Sequence, residues 1–107
     1  MVNLKNEREA FNFGQGSLAV LPENSLVFCE DNKLFNTLEY FQKVVKPGKK
    51  FEILTFAENT KEVVEENIRK RPVFFALVKP PIPVGETIGR WEEYTLISRG
   101  PLYQVLP

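Results

Sequence analysis

Apolar runs alternate with helical spacings through the middle of the chain. Leu26-Val27-Phe28-Cys29 is continuously apolar and ends in Glu30-Asp31, as expected for a strand covered on both faces. Leu34, Phe35, Leu38, Phe41 and Val45 then recur at helical spacing until Lys46-Pro47-Gly48 breaks the pattern, which predicts a helix over about 33–45 with Asp31 or Asn32 as its cap. A second apolar run closes at Phe56. Asn59-Thr60-Lys61-Glu62 reads as a capping box, and a thin stripe of Val63, Val64 and Ile68 predicts a surface helix over about 60–70. Val73 to Val78 is the most apolar stretch and reads as a central strand. This order predicts a small α/β fold: a mainly parallel βαβαβ sheet flanked by two helices.

The flanks are less regular. Residues 1–16 carry little periodicity and two glycines, Gly14 and Gly16, which predicts an irregular arm or a frayed helix; Leu18 to Leu21 reads as a short strand stopped by Pro22. After Lys79, the run Pro80-Pro81-Ile82-Pro83 suits an extended loop. Trp91 to Ile97 and Leu102 to Val105, separated by a turn at Gly100-Pro101, predict a hairpin that adds antiparallel strands at one edge. No repeat or linker interrupts the 107 residues, and one domain over 1–107 is expected.

Composition narrows the chemistry. Fourteen basic and fourteen acidic side chains cancel, so net charge does not indicate a nucleic-acid partner. The longest apolar run is far short of the roughly 20 residues that span a bilayer, and the polar opening lacks an apolar signal region; no membrane association and a cytoplasmic location are expected. With one cysteine and no histidine, Ser/His/Asp and Cys/His pairs and the usual zinc sites are excluded. Cys29, inside an apolar strand, reads as a packing residue, and no histidine is present to activate it.

In parallel α/β units ligands gather at the carboxyl ends of strands, which places Glu30, Asp31, Glu58 and Asn59 where a magnesium or phosphate site would be built. No glycine-rich phosphate loop accompanies them. The run Leu21 to Asp31 resembles the opening of TOPRIM domains of the OLD-nuclease kind, and the order of elements is similar over about 21–78. The resemblance implies that Glu30 stands in the position of the family's glutamate. It departs from the family where an Asp-x-Asp pair should follow the third strand, since Lys79-Pro80-Pro81 stands there, and where a glycine should follow the glutamate, since Asp31 stands there.

Two further features remain open. Lys43, Lys46, Lys49 and Lys50 lie near Phe41 and Phe51, a mixture that can hold a nucleic-acid strand or form a solvated helix end; Arg69-Lys70-Arg71 carries the same ambiguity. Pro81, Ile82, Pro83, Arg90, Trp91, Tyr94 and Tyr103 concentrate anchor-type residues that either dock a partner or cover the sheet. The expectation is a non-catalytic protein-binding or regulatory module on a degenerate TOPRIM-like unit, without cofactor, in a nucleic-acid-processing or defence setting. The rivals are a magnesium-dependent nuclease or phosphoryl-transfer enzyme using Glu30, Asp31 and Glu58, and a self-associating structural subunit.

Overall fold

A computed structural model describes residues 4–78 and 88–107. The elements are helix α1 (Leu4–Val20), strand β1 (Ser25–Cys29), helix α2 (Asn32–Tyr40) continued by a π turn (Phe41–Val45), β2 (Phe51–Thr55), α3 (Thr60–Asn67), β3 (Val73–Ala76), β4 (Ile88–Trp91), β5 (Tyr94–Arg99) and β6 (Leu102–Leu106).

The six strands form one sheet in the order β2-β1-β3-β6-β5-β4. β1 lies between β2 and β3 and is parallel to both; the pairings β3 with β6, β6 with β5 and β5 with β4 are antiparallel. The expectation of a mainly parallel sheet with two flanking helices is therefore corrected. The sheet is mixed with mostly antiparallel pairings, its C-terminal half is a three-stranded meander, and three helices pack on it.

β1 is buried along its whole length and its side chains alternate between two cores. Val27 and Cys29 join Phe74 and Ala76 under α1 and α2, with Leu18, Leu38, Phe41 and Leu102. Leu26 and Phe28 join Val73 and Phe75 on the opposite face, against Val64 of α3 and Leu96 and Val105 of the meander. Helices on both faces explain why β1 and β3 read as unbroken apolar runs.

The second correction is α1. Residues 4–20 are helical, which replaces both the irregular arm and the strand at Leu18 to Leu21. Its inward stripe is Ala10, Phe13, Gly14, Ser17, Leu18 and Leu21, spaced at i, i+3, i+4, i+7, i+8 and i+11 and written partly in small residues. The small residues are needed for close approach. A Cβ on Gly14 would lie 2.3 Å from the Phe41 ring, and one on Gly16 would lie 3.1 Å from the Pro101 ring. The β5–β6 turn thus seats directly on α1, with Gly100 at φ +57° beside Val20.

Candidate functional site

The carboxyl ends of β1 and β3 mark the point where chain connections leave the sheet in opposite directions, the usual ligand crevice of open α/β sheets. Glu30 leaves β1 there. Its N–H donates to Ala76 O at 2.9 Å, and its carboxylate Oε1 accepts from Val78 N–H at 2.6 Å. The residue that the TOPRIM resemblance sets in the position of the family's glutamate thus ties the tips of two neighbouring strands.

Asp31 is the N-cap of α2, its Oδ1 accepting from Leu34 N–H at 2.8 Å. That is the capping role read from the sequence. The expected box at the third helix is corrected: Asn59 makes no side-chain cap bond. The adjacent Thr60 instead ties the turn that precedes the helix, its Oγ1 donating to Ala57 O and accepting from Ala57 N–H, both at 2.8 Å. Glu58 is exposed. Among the described residues no three Asp, Glu, Cys or His side chains lie close enough to hold a metal ion, so the convergence required by the magnesium reading does not occur there.

Beside Glu30 the crevice opens into a cleft of about 410 Å³ lined by Phe56, Phe75, Leu77, Arg90, Trp91 and Leu96. Its floor is a chain of aromatic contacts. Phe56 meets Phe75 edge-on at 4.9 Å, Phe75 meets Trp91 edge-on at 4.9 Å, and Trp91 stacks on Tyr94 at 5.9 Å. Tyr94 is buried and Trp91 and Tyr103 are half-buried, so these rings build the second core, while Arg90 is exposed at its rim. Burial, then the Glu65 and Glu93 carboxylates, raise the Tyr94 phenol above its ordinary pKa. The expected partner-binding residues Pro81, Ile82 and Pro83 lie outside the described residues.

Cys29 is fully buried one residue before Glu30. Desolvation, with the Asp31 carboxylate behind it, pushes its thiol up to about 12, and a thiol held neutral is no nucleophile.

Sequence reasoning missed a different surface. Phe11 on α1, Tyr40 at the end of α2, and Val44 and Val45 in the π turn are all exposed, at 50%, 56%, 60% and 40%. They account for four of the six large hydrophobics exposed among the described residues, the others being Val78 and Ile88. Phe41, buried between them, lies 5.7 Å from Phe11 and 5.8 Å from Tyr40. The signal was present in Tyr40 and Val44, four residues apart and off the stripe that buries α2. Without α1 as a helix, Phe11 had no reason to join them.

No family model, curated protein or solved structure matches this chain. Among the described residues no helix is long and apolar enough to cross a membrane.

Proposed function

We propose that the chain is a non-catalytic protein-binding module whose docking face is the ridge formed by Phe11, Tyr40 and Val44. The observation that carries this reading is that exposed Phe11 and Tyr40 both flank the buried Phe41 ring, with exposed Val44 four residues beyond Tyr40. The Gly14–Phe41 contact fixes α1 against the π turn, so the anchors are held in place before a partner arrives and less ordering cost opposes binding. Glu39 and Lys43 at its edge pair with each other at 3.7 Å and leave little net charge, which suits an apolar partner segment. On this reading the TOPRIM-like order of elements is a scaffold whose acids brace strand tips and cap helices.

The test is photo-crosslinking from position 40, with position 70 as control, followed by reconstitution with the purified, identified partner. Tyr40→Glu and Phe11→Ser should each weaken that complex at least tenfold without unfolding the chain. Equal crosslinking from both positions, or an unchanged affinity in both variants, overturns the reading. Adducts between two copies of the chain assign the ridge to self-association.

A further inference from the structure

Members of the two basic clusters of the sequence meet at the opposite end of the sheet from Glu30. Lys43 at the π turn, Lys49 and Lys50 before β2, and Arg71 before β3 line one cleft of about 680 Å³. That is within the range of small-ligand sites, roughly 300–1,000 Å³. Its charged lining is completed by Glu23 and Glu52, leaving two positive charges in excess.

Both carboxylates are already engaged. Glu52 Oε1 accepts from the Arg71 guanidinium at 2.7 Å, and Glu23 Oε2 accepts from Lys50 N–H at 3.2 Å. Asn24 N–H donates to Lys50 O at 2.8 Å, so the backbone carrying Lys50 is held from both sides. Lys49 Nζ donates to Leu18 O, and Lys43 is partnered with Glu39, which leaves Lys50 and Arg71 as the principal donors. Arg71 supplies the second observation. Its side chain is only 17% exposed, and its Nε is buried with no hydrogen-bond partner among the described residues. The Nε–H has no accessible surface, so the terminal N–H groups of the guanidinium, one of them already fixed on Glu52, are the donors suited to an oxyanion.

We infer that this cleft binds the phosphoryl group of a small phosphorylated molecule, held by Arg71 and Lys50 with Lys43 at the edge. The lining cations outnumber the lining carboxylates, which favours an anion, and the bonds formed would be charge-assisted. The site is separate from the apolar ridge, and its failure would leave that reading untouched.

The experiment is an NMR titration of the full chain with inorganic phosphate at constant ionic strength, with chloride as control and a single-stranded oligonucleotide in parallel. Saturable shifts at Lys50, Phe51 and the Arg71 Nε–H are expected with phosphate alone. Arg71→Lys and Lys50→Gln should each weaken binding at least fivefold. Glu52→Gln, which removes the competing carboxylate, should tighten it at least twofold; this exposed variant keeps the test decisive if replacing Arg71 unfolds the chain. Equal responses to chloride, binding of the oligonucleotide without phosphate, or affinity indifferent to Glu52→Gln and Lys50→Gln overturns the inference.

Discussion

Glu30 and Val78 are joined across the tips of two parallel strands, the carboxylate of one accepting the backbone N–H of the other at 2.6 Å. The bond follows β1 and β3 just beyond their last paired residues, Cys29 and Ala76, and extends their register by a side chain. Glu30→Ala should therefore lower stability by about 1 kcal/mol, the usual net worth of such a bond. Glu30→Gln, which keeps an acceptor oxygen, should lose less than half of that. Urea unfolding of both variants checks the ordering, and no loss in Glu30→Ala would show that the carboxylate braces nothing.

Gly14→Ala should destabilise the chain although alanine is the better helix former. The new Cβ meets the Phe41 ring at 2.3 Å. Overpacking costs roughly 1–3 kcal/mol and outweighs a gain of up to about 1 kcal/mol in helix propensity. Phe41→Leu in the same chain should recover part of the loss, a coupling that a thermal-melt double-mutant cycle measures.

Thr60 and Asn59 should respond in opposite ways to the expectation of a capping box. Thr60 is buried with both hydrogen bonds of its hydroxyl made to Ala57, so Thr60→Val should cost about 1–2 kcal/mol. Asn59→Ala, with no cap bond to lose, should cost less than about 0.5 kcal/mol.

Cys29 predicts an alkaline loss of stability. Its thiol titrates at about 12 in the folded chain. In the unfolded chain it titrates at about 8.5. Above the unfolded value the unfolded state releases the proton and the folded state keeps it, so stability falls as pH rises through this window, by up to about 1.4 kcal/mol per unit. The difference between the chain and Cys29→Ala, followed by chemical unfolding from pH 8 to 11, isolates the effect. A thiol reagent at pH 8 should modify Cys29 only after unfolding.

The β4–β5 turn holds Glu92 at φ +53°, a left-handed conformation that disfavours a side chain. Glu92→Gly should stabilise by about 0.5 kcal/mol, the relief of strain exceeding the entropy that glycine adds to the unfolded chain. Glu93→Gly should bring no gain, since it relieves no such strain and removes the 3.3 Å ion pair with Lys61.

The strands at 25–29 and 73–76 were legible because burial on both faces leaves continuous apolar runs, whereas the edge strand at 51–55 is only partly buried and was legible from an alternation that turns apolar towards Phe56. Helix α1 was hidden because its inward stripe uses Gly14 and Ser17, which a hydrophobic count discards and which only the nearness of Phe41 and Pro101 explains. The mixed sheet was misjudged for a related reason. The turn at Glu92-Glu93 contains neither Gly nor Asn, so β4 merged with β5 in the reading, and the meander seemed an edge ornament when it is half the sheet. At the site, Glu30, Asp31 and Glu58 were placed on the right strand tips and helix entrances; that Glu30 bonds a backbone N–H and Asp31 caps a helix depends on geometry that residue types do not encode. The ridge and the basic cleft join residues far apart in sequence, and neither Phe11 with Tyr40 nor Lys50 with Arg71 leaves a local pattern.

Gly16 lies against Pro101, and Gly100 against Val20, so the first helix rests on the last turn of the sheet. During synthesis α1 leaves the ribosome long before the surface that completes its seat exists. The nascent chain can lay down β1 to β3 and dock α1 loosely on α2. It cannot close the core around Leu18 and Leu102 until residue 102 has been made, so shielding of that half of the interior comes late.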